Sequence, residues 1–151
     1  MATPRTAPAA GWRFSEFRLG DTFGSKVKIT PEHLDQGAEL IGDFNPLHVD
    51  DAYARSTRFG GRILHGVLTS ALMSAPFGNL VSGTALGYLE HNARFLAPVR
   101  PGDVLAIEWT VTDLLPKPRH GGGIVVAECE ARNQTGELVA TASGKMLVAD
   151  A

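Results

Sequence analysis

Cysteine is almost absent from this sequence, because Cys129 is the only one among 151 residues. A disulfide within the chain and a zinc site built from several cysteines are therefore both excluded. Cys129 stands in the alternating segment 125–131, and we expect it to be a small buried hydrophobic residue with an unreactive thiol.

The sequence also lacks a long hydrophobic run and an excess of positive charge. Its longest mainly apolar stretch, residues 63–73, is too short to span a bilayer. The formal net charge is −2 at pH 7, so there is no basic composition of the kind that indicates nucleic-acid binding. Residues 1–11 are rich in Ala, Pro and Thr and have no signal-peptide core, and we interpret them as a disordered lead-in. The sequence therefore predicts a cytoplasmic protein with neither a membrane nor a nucleic-acid partner.

The rest of the chain, residues 12–151, has the composition of one globular domain. Hydrophobic residues make up 44% of the chain and charged residues 20%, which is typical of a folded protein. A chain of 151 residues is long enough to bury one sizeable core.

The first half of this domain predicts a strand followed by helices. Residues 22–29 have the composition of a strand. Thr30-Pro31-Glu32 supplies the N-cap, the proline and the early acidic residue that begin a helix, and Gly42 is suited to end it. A short helix is expected at 52–56. The run 62–75 is apolar or small nearly all round, which predicts a helix buried on most faces.

The second half predicts antiparallel strands at 86–95, 104–115, 123–133 and 138–148, separated by turn signals at 98–103, 116–122 and 133–136. We expect one face of the third strand to be buried, namely Val125, Ala127, Cys129 and Ala131. The fold class is therefore α+β, with an antiparallel sheet wrapped around a long central helix. Because one sheet cannot bury such a helix alone, we expect a homodimer or a higher homo-oligomer.

The stretch with the clearest chemical content is Gly42-Asp43-Phe44-Asn45-Pro46-Leu47-His48. Pro46 disfavours continued helix, so Asp43 and His48 lie on a stiff loop, and the Asn45 side chain can hold the turn. A carboxylate and an imidazole close to one water are what general acid–base catalysis needs. The alternative is a simple chain reversal with a structural histidine.

These residues are recognisable together. The stretch 42–48, followed by His65-Gly66 at the start of the central helix and by the segment 95–103, resembles the MaoC-like hydratases, also called (R)-specific enoyl-CoA hydratases. The resemblance covers the chain from about Phe17 onward and implies a single hot-dog domain over residues 12–151. It also implies hydration of trans-2-enoyl-CoA thioesters, or the reverse dehydration of (R)-3-hydroxyacyl-CoA. Coenzyme A is carried by the substrate, so no cofactor is implied.

The resemblance assigns three catalytic residues. Asp43 and His48 would grip the water that adds to the double bond. The backbone N–H of Gly66, at a helix N-terminus, would form the oxyanion hole for the thioester carbonyl. Helix N-terminal N–H groups favour an anion there, which supports this role on physical grounds.

Three further residues are candidates for substrate binding. Asn45 would orient the catalytic loop. His65, whose neighbour already supplies the oxyanion donor, would hold the loop that leads into the helix. Ser74 matches a position near the acyl pocket, although a helix serine bonded back to a carbonyl explains it equally well.

A metal site is not expected, since Asp43, His48 and Asp50 lack a recognisable ligand spacing. Several basic residues could contact the phosphates of coenzyme A or be ordinary surface charges: Arg94, Arg100, Lys117, Arg119 and Lys145.

Two alternative functions stay open. In a hot-dog acyl-CoA thioesterase, the water would be directed at the carbonyl, but the intact Asn-Pro-Leu-His argues against it. In a non-catalytic acyl-CoA-binding subunit of a hetero-oligomer, Asp43 and His48 would have no purpose, and both are present.

Overall fold

One strand, four helices and then four strands make up the part of the chain that the structure describes, residues 11–151 of a computed structural model. Apart from Gly11, the predicted lead-in lies outside the described residues. The elements are β1 (Thr22–Lys28), α1 (Pro31–Ile41), α2 (Pro46–Val49), α3 (Asp51–Arg55), α4 (Gly66–Leu80), β2 (Ala85–Phe95), β3 (Val104–Lys117), β4 (Gly122–Arg132) and β5 (Leu138–Ala149), with short 3-10 helices at Phe14–Glu16 and Pro118–His120.

The strands form one antiparallel sheet in the order β1-β3-β4-β5-β2. β3, β4 and β5 are successive neighbours, whereas β1 and β2 lie at the two edges. The helix α4 contacts β1, β2, β3 and β5, so the sheet curves around it. The predicted α+β hot-dog architecture is confirmed.

Trp109 joins the sheet to the central helix. Its ring is fully buried, and its Nε1–H donates to the carbonyl of Met73 at 2.7 Å. The ring also packs against Phe23 and Phe77, with centroids 6.2 and 5.2 Å away. Because a buried indole N–H needs an acceptor, this bond fixes the position of α4 along the direction of β3.

The alternating burial predicted for β4 is confirmed. Val125, Ala127, Cys129 and Ala131 are buried, and Glu128 and Glu130 are exposed. The other predicted strands agree with the structure to within two residues. One turn prediction needs correction, because β3 continues through Pro116, which pairs with Gly123. The short helix begins at Asp51 instead of residue 52.

The central helix differs from the prediction at both ends, since it was expected at 62–75 and occupies Gly66–Leu80. The segment 62–65 is extended, and the N–H of Leu64 donates to the carbonyl of Val99 at 2.7 Å. The helix also continues through a proline, Pro76. A proline inside a helix costs about 3 kcal/mol. Burial of Phe77 and Leu80 beyond it stabilises the fold by about 1.5–3 kcal/mol each, which is enough to offset that cost.

Burial of α4 is one-sided within a single chain, so the expectation of burial on most faces is not met there. Thr69, Met73 and Phe77 are buried, whereas the opposite face is open, and Val67 is 61% exposed. The neighbouring edge strand β2 carries exposed apolar side chains as well, at Leu86, Tyr88, Leu89 and Phe95. No helix among residues 11–151 combines the length and apolar character needed to cross a membrane.

Candidate active site

The C-terminal end of α1 determines the conformation of the loop that carries Asp43. Gly42 adopts the left-handed conformation with φ of 78°, and its N–H donates to the carbonyl of Ala38 at 2.8 Å. This is a glycine helix cap, which a residue with a side chain would strain. Asp43 follows directly, and its Oδ1 accepts a hydrogen bond from the N–H of Asn45 at 3.1 Å.

Asn45 then begins the short helix that carries His48. Its side-chain Oδ1 accepts from the N–H of Leu47 at 3.0 Å, and Pro46 occupies the first helical position. Asn45 therefore shapes the loop, as expected, through its own side-chain hydrogen bond.

Asp43 and His48 are brought together. The Nδ1 of His48 lies 2.8 Å from the carbonyl of Ile63, and because a carbonyl only accepts, Nδ1 carries the hydrogen. The other ring nitrogen, Nε2, then faces Asp43, 3.9 Å from Oδ2. That separation is too long for a direct hydrogen bond, but one water about 2.8 Å from each atom would bridge it. The His48 side chain is 12% exposed and that of Asp43 is 49% exposed, so the water is reached from the Asp43 side.

His65 contacts both of these residues. Its ring stacks on that of His48 with centroids 3.8 Å apart, and its Nε2 donates to the backbone carbonyl of Asp43 at 2.9 Å. His65 is only 1% exposed, and its Nδ1 has no hydrogen-bond partner among residues 11–151. His65 therefore contacts the loop that carries Asp43, whereas it was expected to hold the loop leading into α4, and it has little surface for direct contact with a substrate.

Arg62 is a part of the site that the sequence analysis did not single out. Its guanidinium donates to Asp35 at 2.8 Å, to Asp51 at 3.0 Å and to the backbone carbonyl of His48 at 3.2 Å. Burial lowers the pKa of Arg62, but the hydrogen bonds and charges of the two carboxylates raise it, and the net shift is upward. Arg62 therefore ties α1 and α3 to the loop as a fixed cation.

Gly66 begins α4, as predicted for the oxyanion donor. The first N–H groups of a helix have no intrahelical acceptor, and the Gly66 N–H donates to none of the residues that the structure describes. A Cβ at this position would lie 3.2 Å from the ring of Phe95. The close approach of that ring, which the sequence analysis did not foresee, is therefore one reason for a glycine here.

A pocket of about 340 Å³ begins at Gly66. Asp43 and His48 do not line it, but Ile63, whose carbonyl accepts from His48 Nδ1, does. The lining of the pocket is mainly apolar, and Arg58 is its one charged residue among residues 11–151. The lining residues are Arg58, Phe59, Ile63, Leu64, Gly66, Thr69, Phe95, Leu96, Ala97, Pro98, Val99 and Val139.

A wider depression of about 910 Å³ lies on the outer face of the sheet. Its lining includes Glu108, Glu128 and Glu130 and none of the predicted catalytic residues. The carboxylates make this depression unfavourable for an anionic ligand, although Arg94 also lines it.

Ser74 lies on α4 two turns beyond Gly66, and its hydroxyl donates to the carbonyl of Ala71 at 2.7 Å. This is the ordinary helix-serine bond that the sequence analysis gave as its alternative.

The arrangement suits a water better than a metal ion. Asp43, His48 and His65 each offer one ligand atom, and these atoms lie within 4.8 Å of one another. However, the two rings stack with an interplanar angle of 23°, so their nitrogens cannot both point at one ion about 2.0–2.1 Å away. Asp50, the third ligand considered from the sequence, instead accepts from the N–H of Tyr53 and caps α3.

A second histidine cluster lies between α4 and β2. The Nε2 of His91 lies 2.7 Å from the hydroxyl of Ser70, and its Nδ1 lies 2.5 Å from that of Tyr88. Burial lowers the pKa of His91 and raises the pKa of Tyr88 to about 12. Both phenol and imidazole are therefore held in their neutral forms at neutral pH.

The chain is similar to known proteins over most of its length. Residues 17–129 match the family model described as a MaoC like domain. The chain belongs to the MaoC-like dehydratase family. Among relatives of this MaoC-like chain, the 3-hydroxybutyryl-CoA dehydratase of Methylorubrum extorquens is 36% identical over 107 residues, covering 71% of this chain and 68% of the relative. The (R)-specific enoyl-CoA hydratase of Rhodospirillum rubrum is 34% identical over 106 residues, covering 70% and 74%.

Solved structures agree with this. The unliganded R-hydratase PhaJ1 from Pseudomonas aeruginosa superposes on the MaoC-like chain with a TM-score of 0.83 at 32% identity, covering 92% of this chain and 86% of that one. The predicted family, the fold and the assignment to the hydratase and dehydratase class are thereby confirmed. The roles of individual residues stay predictions.

Proposed function

We propose that this MaoC-like protein adds water to trans-2-enoyl-CoA thioesters to give (R)-3-hydroxyacyl-CoA, or catalyses the reverse dehydration, without a separate cofactor. The observation that carries the proposal is the 3.9 Å separation between His48 Nε2 and Asp43 Oδ2, beside the free N–H at the start of α4. The names of the relatives from Methylorubrum extorquens and Rhodospirillum rubrum support the same reaction class.

The proposed mechanism uses one water held between Asp43 and His48. The water donates one hydrogen to Nε2 and the other to Oδ2, and one of these groups takes a proton as the oxygen bonds to the β carbon. The electron pair of the double bond moves toward the thioester oxygen, where the Gly66 N–H donates to the negative charge. The group that took the proton then gives it to the α carbon, which returns Asp43 and His48 to their starting forms, so one H and one OH from the same water have been added.

The Gly66 N–H contributes to the rate as much as the acid–base pair does. Loss of one oxyanion donor costs about 2.7–4 kcal/mol in the enzymes where it has been measured. The dipole of α4 acts in the same direction, because its positive end points at the developing charge.

The reaction itself is tested by incubating the purified protein with a short trans-2-enoyl-CoA. The conjugated-enoyl ultraviolet band and the free thiol are followed in parallel, and the stereochemistry of the product is determined. We expect the band to be lost without release of thiol and the product to be the (R)-3-hydroxyacyl thioester. Release of thiol would instead identify a thioesterase, and no change with several chain lengths would favour a non-catalytic binding subunit.

We further propose that the protein is a homodimer joined through α4 and β2. The free face of α4 and the exposed side chains of β2 adjoin one another, and β2 is an edge strand of 11 residues. A second copy covering this surface would remove apolar area from water. The cytoplasmic location predicted from the sequence stays a prediction.

Light scattering after size exclusion tests the dimer with Leu89→Arg, which places a charge in this surface. Leu40→Arg is the matched control, because Leu40 is 81% exposed on α1, away from β2. We expect only the Leu89 variant to lower the measured mass. A monomer in the unmodified protein would contradict the proposal.

A further inference from the structure

We infer that Arg58 and Arg100 bind a phosphate on the carrier arm of the thioester, at the rim of the pocket that begins at Gly66. The inference rests on the proposed function, and it names two binding residues for that reaction. Arg100 was one of several basic candidates in the sequence, and Arg58 was not among them.

Two guanidinium groups contact a single residue, Phe59. The Cζ of Arg58 lies 4.9 Å from the centroid of the Phe59 ring, and Arg100 donates from Nη1 to the Phe59 carbonyl. Both positive charges therefore lie next to Phe59, and guanidinium groups bind phosphate through charge-assisted hydrogen bonds.

No carboxylate of residues 11–151 forms an ion pair with either guanidinium. Arg62, four residues from Arg58, shows the contrasting arrangement, since it is neutralised by two carboxylates. The nearest acidic group in sequence to Arg100 is Asp103, and its carboxylate is used elsewhere: it accepts from the Arg100 backbone N–H and from the Gln134 side chain. No described carboxylate therefore balances the charge of either guanidinium group.

The backbone around this pair is fixed. The N–H of Phe59 donates to the Thr57 hydroxyl at 3.2 Å, and the N–H of Gly60 donates to the Thr57 carbonyl at 3.0 Å. Arg58 is further held by its contact with the Phe59 ring, a cation–π contact. The site is thus organised before a ligand arrives, which lowers the entropy cost of binding.

The position of Arg58 and Phe59 in the pocket indicates which anion these arginines could bind. Arg58 and Phe59 line the same pocket as Gly66, and the wall is otherwise mainly apolar, with Ile63, Pro98 and Val99 among its residues. Arg100 does not line the pocket and contacts it through the Phe59 carbonyl. A thioester whose carbonyl meets the Gly66 N–H would send its carrier arm along this wall toward the rim. The first anionic group on such an arm is a phosphate ester, and guanidinium groups bind phosphate through paired hydrogen bonds.

Two kinds of thioester carrier bear such a phosphate. The phosphate at the end of the pantetheine arm is shared by coenzyme A and by acyl carrier proteins, whereas the nucleotide phosphates belong to coenzyme A alone. The test therefore uses the same enoyl group on pantetheine, on 4′-phosphopantetheine, on coenzyme A and on an acyl carrier protein.

The test variant is Arg58→Met, which keeps the length of the side chain and removes its charge. Arg55→Met is the matched control, because Arg55 is exposed on α3 and does not line the pocket. Arg100→Gln is the second variant, since glutamine retains a donor for the Phe59 carbonyl while removing the charge.

We expect Arg58→Met to raise the KM for the phosphorylated thioesters about tenfold or more with little change in kcat, as is typical of a lost charge-assisted hydrogen bond. The KM for the pantetheine thioester should not change. An effect on coenzyme A alone would assign the nucleotide phosphates, and an effect on all phosphorylated carriers would assign the pantetheine phosphate. An equal effect on the pantetheine thioester, or no effect on any substrate, would overturn the inference.

Binding of coenzyme A alone, measured by titration calorimetry, separates this inference from the proposed reaction. Coenzyme A should bind the unmodified protein more tightly than pantetheine does, and Arg58→Met should remove that difference even if no thioester is turned over. Equal affinity for coenzyme A and pantetheine in the unmodified protein would overturn the inference, whereas absence of turnover alone would contradict only the proposed function.

Discussion

His65 stacks its ring on that of His48, with centroids 3.8 Å apart, and the same side chain donates from Nε2 to the backbone carbonyl of Asp43 at 2.9 Å. One buried residue therefore contacts both members of the proposed acid–base pair. Its own backbone carbonyl accepts from the N–H groups of Leu68 and Thr69, which fixes it to the first turn of α4. His65 thus fixes the positions of the acid–base pair and of the proposed oxyanion donor, Gly66, relative to one another.

Two substitutions of His65 separate its two contacts. His65→Gln keeps a donor for the Asp43 carbonyl and loses the ring, whereas His65→Phe keeps a ring and loses the donor. We expect each to lower kcat by about 10- to 100-fold, because small displacements of catalytic groups cost this much. The KM should change little, since His65 is 1% exposed and has almost no surface to offer a substrate.

The measurement for His65 is steady-state hydration kinetics, with unfolding by urea as a check on stability. His120→Gln serves as the control, because His120 is exposed in the 3-10 helix after β3. If either variant kept the full kcat, the contact that it removes would have no positioning role.

Asp43→Asn tests the carboxylate directly. The amide preserves the shape of the side chain and its acceptor for the Asn45 N–H, so we expect the fold to be kept. Loss of one acid–base group should lower kcat by about 10²- to 10⁴-fold. Hydration of a trans-2-enoyl-CoA measures this effect, with Glu39→Gln, an exposed carboxylate on α1, as the control. Unchanged turnover in Asp43→Asn would exclude the carboxylate from the mechanism.

The sequence was sufficient for those parts of the site that depend on local spacing. Asp43, Asn45 and His48 could be found because a glycine cap and a proline determine the loop between them within six residues. Arg62 could not be found in this way, because its partners Asp35 and Asp51 lie 27 and 11 residues away and no periodicity relates them.

The same limit applies to the central helix. An apolar composition all round predicts burial, but it does not say whether the covering surface comes from the same chain. Among residues 11–151, the chain covers only the face with Met73 and Phe77. The start of α4 was misplaced because residues 62–65 form tertiary hydrogen bonds with Val99 and with the catalytic loop instead of helical ones. Its end was misplaced because burial offsets the cost of Pro76.

Cys129 should be inert in the native protein. The residue is 2% exposed, and burial raises the pKa of its thiol to about 12, so almost no thiolate forms at neutral pH. We expect no reaction with a thiol reagent such as 5,5′-dithiobis(2-nitrobenzoate) under native conditions and one equivalent in urea. Fast labelling without denaturant would show that β4 opens locally or that the thiol is accessible.

The cluster of His91, Ser70 and Tyr88 predicts a pH dependence of stability. Burial lowers the pKa of His91 below its ordinary value of 6.5, so the unfolded chain binds a proton more readily than the folded one. The His91 contribution to stability is therefore complete above pH 6.5 and is lost as the pH falls from there through the folded-state pKa. Urea unfolding at pH 8, 7, 6 and 5 should show this loss, and His91→Gln, which cannot titrate, should lose less stability over the same range. His120→Gln should follow the unmodified protein, and identical pH profiles for all three proteins would show that protonation of His91 is not linked to folding.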